Sequence, residues 1–184
     1  MGNFKRFITA SAAILIAAGC STTAVTGGAE RVAFGGLNLI SNGHEVSLGG
    51  GLDQRDAVIG VRDTLSQRFY TSRVSDGGQF ALTLMPGDYL VETIAFDYHG
   101  EKIEAPANFR FSVPSEFDSV YIGSVTLEAS LESGIYGVVG TADRYTIDDE
   151  CAVRCDEQLS SLGLQTSTSG VSLMSWDYQV AANR

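Results

Sequence analysis

Cys151 and Cys155, four positions apart in a chain of 184 residues, carry the sharpest local chemistry in the sequence. A thiol pair can close a disulfide, hold a metal or exchange electrons. Thioredoxin-like exchange uses two intervening residues in a βαβ setting, whereas Ala152, Val153 and Arg154 make three here. A metal site needs further ligands, and the only histidines, His44 and His99, are distant in sequence. On a helix, residues four apart have Cα atoms about 6 Å apart, within the span a disulfide tolerates. The expectation is a structural disulfide between Cys151 and Cys155. Its small loop would stabilise the fold by about 2 kcal/mol on the chain-entropy account. No metal and no cofactor is expected.

Carboxylates form two further groups. Asp148, Asp149, Glu150, Asp156 and Glu157 flank the cysteines without the spacing of an EF-hand loop. A solvated helix end accounts for them, with a calcium or basic-partner site as the alternative. Asp97, Glu101 and Glu104 surround His99-Gly100. Paired carboxylates can do acid–base work, but at a hairpin tip they read as soluble turn residues. HExxH, GxSxG, P-loop and GxGxxG patterns are absent, so the expectation is no enzyme and no catalytic residue. A triad assembled from distant residues would leave no such motif. Tyr70, Tyr98, Tyr121, Tyr136, Tyr145, Trp176 and Tyr178 are either core aromatics or parts of a binding face. Trp176 and Tyr178 are the binding candidates among them.

These groups must be carried by what the rest of the chain builds. Lys5 and Arg6 precede an apolar run from Phe7 to Ala18, too short to span a bilayer as a mature helix: a secretory leader, residues 1–19. Ala17-Ala18-Gly19-Cys20 then resembles the bacterial lipobox, in which small residues precede an acylated cysteine that becomes the new N-terminus. The usual leucine three residues before the cysteine is Ala17 here. The resemblance implies lipid on Cys20, against ordinary signal-peptidase cleavage at the same place. Acylation would leave Cys151 and Cys155 as an even pair in an oxidising compartment. One acyl chain holds a protein marginally, two or more hold it stably, and the resemblance implies three. Ser21, where aspartate would signal inner-membrane retention, points to the outer membrane. The formal charge of −10 becomes −12 once the two cations Lys5 and Arg6 leave with the leader. So acidic a surface sets nucleic acid aside.

Residues 21–30 read as a flexible tether, and residues 20–50 as lipidated N-terminus, tether and a possible edge strand over 32–41, weakened by Gly35-Gly36, or else part of a longer linker. Residues 51–184 are expected to form one domain. Strand signals recur from 57 onward, over 57–63, 68–75, 79–85, 88–98, 107–113, 120–129, 134–147 and 171–180. Phe80, Leu82 and Leu84 alternate with Gln79, Ala81 and Thr83, which buries one face. Residues 88–98 are apolar on both faces and read as a central strand. Phe109, Phe111 and Val113 point inward; Met174, Trp176, Tyr178 and Val180 share one face of the last strand. Asp76-Gly77-Gly78 suits a tight hairpin and Pro86-Gly87 a type II turn. Residues 148–164 read as a short helix capped by Asp148 and Asp149 and ended by Gly163.

Ser75-Asp76-Gly77-Gly78-Gln79-Phe80, Leu82, Leu84, Met85-Pro86-Gly87-Asp88-Tyr89 and Val91 resemble the carboxypeptidase regulatory-like, transthyretin-like domain. The resemblance implies a seven-stranded antiparallel β-sandwich with Greek-key links and no activity, since that fold serves as an accessory module. The expected fold is thus an all-β sandwich, transthyretin-like or Ig-like, with one short helix near the C-terminal part. The expected function is a non-catalytic, lipid-anchored envelope module that binds a protein partner, for example by strand addition. The alternative is a small-ligand or glycan-binding accessory lipoprotein. A hydrolase or thiol oxidoreductase ranks below both.

Overall fold

The computed structural model describes residues 28–48, 57–98, 100–134, 137–149, 158–163 and 168–176. Cys20, His99, Tyr136, Glu150, Cys151, Cys155, Asp156, Glu157, Tyr178 and Val180 lie outside them, as do residues 1–19, the expected leader. Eleven strands among the described residues form two sheets. The first contains β1 (Arg31–Ser41), β2 (His44–Val46), β5 (Gln79–Leu84), β8 (Ser119–Gly134), β9 (Gly137–Asp148) and β10 (Ser169–Val171). The second runs β11 (Ser175–Trp176), β7 (Glu101–Val113), β6 (Gly87–Tyr98), β3 (Ala57–Asp63), β4 (Phe69–Arg73). The protein is an all-β sandwich. It has more strands than the seven implied by the resemblance, and β1–β8 and β10–β8 pair in parallel.

The two inner faces meet in a core fixed by alternation. Phe80, Leu82 and Leu84 of β5 are buried, as are Phe109, Phe111 and Val113 of β7. β6 lies between β3 and β7, the central place that apolar residues on both its faces demand. Tyr89, fully buried near its start, donates its hydroxyl to the Met85 carbonyl at 2.6 Å. That bond satisfies the phenol and ties the corner where the chain crosses between sheets.

β1 corrects the expectation of an edge strand. β5 and β2 pair along one of its sides and β8 along the other. The two glycines are there because neighbours come close. A Cβ on Gly35 would sit 2.4 Å from the Gly123 carbonyl oxygen, and one on Gly36 would sit 2.5 Å from Ser124 Oγ. Opposite them the β1–β8 register slips, and Gly123 adopts φ +102°. The slip is written in the burial of β8: Val120 and Ile122 face the core, then Val125, Leu127, Ala129 and Leu131, one residue out of phase. β1 ends in a two-residue hairpin, with Asn42 at φ 51° and Gly43 at φ 80°. The Asn42 side chain extends the ladder, donating to the Leu131 carbonyl at 2.9 Å and accepting from the Leu131 N–H at 3.1 Å.

Four local expectations are also corrected. Asp76-Gly77-Gly78 does turn tightly, with Gly78 N–H donating to Ser75 O and φ +79° at Gly78, but β4 and β5 belong to opposite sheets. Gly87 is not in the left-handed region and starts β6, so Pro86-Gly87 is a crossover between sheets rather than a type II hairpin. Asp148 pairs with Ser124 at the end of β9 instead of capping a helix. The described helical residues are 158–161, followed by Gly163 at φ +68°. They have a task in packing. Phe34 and Tyr121 project from the outer face of the first sheet, and Leu159 and Leu162 cover them. Of the expected strand over 171–180, the described residues belong to the end of β10 and to β11, which lie in different sheets, and residues 177–180 lie outside the described residues.

Gly35→Ala should lower stability by about 1–3 kcal/mol, because the new methyl meets a backbone carbonyl that has no rotamer to yield. Urea unfolding checks this, and an unchanged midpoint would contradict the role given to the glycine.

Candidate functional site

Where β9 leans from the first sheet over β7 and β11 of the second, an open groove of about 510 Å³ forms. Its lining comes from Phe109, Trp176 and the run Ala142, Asp143, Arg144, Tyr145, Thr146 and Ile147. The volume lies in the range of small-molecule sites. Strand alternation turns Tyr145 and Ile147 toward the core and leaves Arg144 and Thr146 exposed.

Three rings set the shape. Phe109, fully buried, meets Tyr145 at 5.3 Å and 77° and Trp176 at 5.2 Å and 73°, both edge to face. Tyr145 and Trp176 lie 5.8 Å apart at 38°. The half-buried pair thus rests on a buried floor in the arrangement ring quadrupoles favour. Tyr145 also donates its hydroxyl to the Pro106 carbonyl at 2.7 Å, a bond from β9 to β7 that pins the groove's back wall. Burial pushes the Tyr145 phenol up to about 12.

The polar wall is equally fixed. The β8–β9 register slips between Glu128 and Ala129, which face Arg144 and Ala142 and leave Asp143 as the extra residue of a bulge. Asp143 accepts from Ser130 Oγ at 2.6 Å and from Thr141 Oγ1 at 3.2 Å. Arg144 pairs with Glu128. The groove therefore offers ring faces beside anchored donors and acceptors, an arrangement suited to binding. Among the described residues no three His, Cys, Asp or Glu side chains lie close enough to hold a metal ion.

Of the aromatics singled out by sequence, Trp176 and Tyr145 come together here. Tyr121 is fully buried in the smaller cluster on the outer face of the first sheet and bonded to Ser124 Oγ at 3.0 Å, so it forms no binding face. Tyr70 is half-buried and packs edge-on against Tyr89; Tyr98 is half-buried against the core. Asp97, Glu101 and Glu104 are exposed near the β6–β7 turn, where Glu104 takes Lys102 as a partner at 2.7 Å. That hydrogen bond raises the lysine's pKa. His44 is exposed on β2. Phe109, Asp143 and Arg144 complete the groove without having been marked as site residues. The inward alternation of β7 signalled Phe109, but no sequence signal placed the bulge at Asp143. No family model, no curated protein and no solved structure matches this chain.

Tyr145→Phe should cost about 1 kcal/mol, the usual net worth of one hydrogen bond, with Trp176 emission shifting as the wall loosens. Tyr89, also pushed to about 12 by burial, titrates late with Tyr145. Both phenols are held neutral by the fold, so their contribution is complete below the ordinary value near 10 and is lost as pH rises from about 10 to about 12. Ultraviolet titration should show a late phase that shrinks in Tyr145→Phe; a profile unchanged by that substitution would contradict the burial.

Proposed function

We propose that the chain is a non-catalytic binding module of the cell envelope, anchored at the outer membrane through lipid on Cys20, and that its ligand is a glycan held in the Trp176 groove. The observation that carries the reading is the groove itself: two partly exposed rings on a buried aromatic floor, beside a wall of fixed polar groups. A sugar ring has an apolar C–H face that lies on an aromatic ring and hydroxyl edges that need donors and acceptors. Tyr145 and Trp176 supply the first, Arg144, Thr146 and Asp143 the second. The groove follows several residues of β9 and is open, which suits a segment of a chain rather than an enclosed small molecule.

Protein binding by strand addition is the rival. Among the described residues β9 pairs with β8 alone, which gives it an outer edge. The Asp143 bulge and the charges of Asp143 and Arg144 sit on that edge, devices that discourage further strands. A peptide could pair only beyond the bulge, away from the polar wall.

The chain has one tryptophan, so emission reports on the site directly. Titration with neutral and acidic oligosaccharides should give a saturable change for at least one class. Tyr145→Ala should weaken binding roughly tenfold or more, as loss of a central aromatic anchor does. Emission unmoved across the panel would contradict the glycan reading.

A further inference from the structure

The strands fix which end of the sandwich bears the chain's entry. β1, β6 and β8 start at one end, and β3, β7 and β9 finish there. Gly28 lies at this end: a Cβ on it would be 3.6 Å from Pro86 Cγ. The turn between β3 and β4 is at the same corner, because Thr64 donates both its N–H and its hydroxyl to the Asp88 carbonyl at 3.0 Å. The opposite end carries Asn42-Gly43 and the β6–β7 turn.

That β3–β4 turn holds an apolar side chain out into solvent. Leu65 is 93 % exposed and Phe69, at the start of β4, is 48 % exposed. A lone exposed leucine is ordinary on a protein surface. This one stands on a turn braced from every side. The Asp63 carboxylate accepts from the N–H groups of Leu65 at 2.8 Å and Ser66 at 3.0 Å and from the Ser66 hydroxyl at 2.7 Å. Gln67 N–H donates to the Asp63 carbonyl at 3.0 Å, and Gln67 Nε2 to the Thr64 carbonyl at 2.8 Å. Arg62 grips Glu92 with two bonds of 2.7 and 2.8 Å and lies over the Phe69 ring. The turn presents Leu65 in one place, with the exposed Arg68 near it in sequence, while the Phe69 ring lies back on the outer face of the second sheet against Gly60 and under Arg62.

The length of chain outside the described residues decides what lies opposite. This step rests on the reading that Cys20 carries lipid. Eight residue steps join Cys20 to Gly28, and fully extended they reach at most about 28 Å. The sandwich is longer than that: the twelve residues of β6 span roughly 36 Å at strand rise. The Asn42 end cannot stand on the bilayer, because Gly28 would then be held too far above its own anchor. The end with Leu65 can.

We infer that Leu65 forms a membrane-contacting tip that dips into the interface of the bilayer to which Cys20 is anchored. The lipid it meets is zwitterionic. Glu30, Asp88 and Glu116 are exposed at this end, so it carries no basic patch to seek an anionic surface. Arg68 would reach the phosphates while Leu65 passes between them.

The test uses the lipidated chain purified from membranes and reconstituted in phosphatidylcholine vesicles. Leu65→Trp should emit further to the blue than in detergent-free solution. It should also be quenched by phosphatidylcholine brominated high on the acyl chain, beyond the quenching of Trp176 in the parent. Glu45→Trp, on β2 at the opposite end, should show neither effect. Both side chains replaced are exposed, so folding is not at stake. A chain that floats with the vesicles while Leu65→Trp behaves like Glu45→Trp would overturn the tip and leave the anchor standing. A chain that fails to float would overturn the anchor, and the tip with it.

Discussion

β1 must pass between two neighbours whose atoms leave no room for a side chain at its middle, and the rest of the sandwich is arranged around that passage. Gly35 meets the Gly123 carbonyl and the Phe80 ring; Gly36 meets Ser124. The same contact forces β8 to slip by one residue, and the slip divides β8 into two stretches. The first pairs with β10, the second with β9. Without the slip, the inward set of Val125, Leu127, Ala129 and Leu131 would point to the outer face. β9 therefore owes its position to two glycines on a strand it does not pair with.

The groove follows from that position. β9 reaches over β7, and the space left between the sheets at this side is filled from below by Phe109 and closed from behind by Tyr145 bonded to Pro106. Its outer wall is the bulged stretch around Asp143, where a bulge both protects an edge and re-aims side chains. The short helical turn at 158–161 solves a separate problem on the far face of the same sheet, covering Phe34 and Tyr121, which alternation leaves outside the main core.

Much of the second sheet was legible in the sequence, because strict alternation in residues 107–113 and apolar runs in 57–63 and 88–98 name a buried face or a buried strand directly. The first sheet was less so. Gly35-Gly36 reads as a breaker in isolation and becomes intelligible only beside Gly123, which is far away in the chain. The turns at Asp76-Gly77-Gly78 and Pro86-Gly87 carry local chemistry, and local chemistry does not say whether the strands they join share a sheet. Asn42-Gly43 is the opposite case, a dipeptide whose two positive-φ residues spell a hairpin on their own. The phase change between Ile122 and Val125 also stood in the sequence, since a strand cannot keep one face buried through it without a bulge. For the site, Trp176 was marked by its residue type and Phe109 by the inward alternation of its strand, while Asp143 and Arg144 depend on long-range pairing that no local pattern encodes.

The functional account depends on the folded part being held beside a bilayer by its own N-terminus, and intact mass spectrometry of the protein extracted from membranes addresses that most directly. The account requires a chain that begins at Cys20 and carries a diacylglyceryl thioether and a third, amide-linked acyl chain. A mature protein starting at an unmodified Cys20, or one recovered from the soluble fraction with the mass of the bare polypeptide, would contradict it.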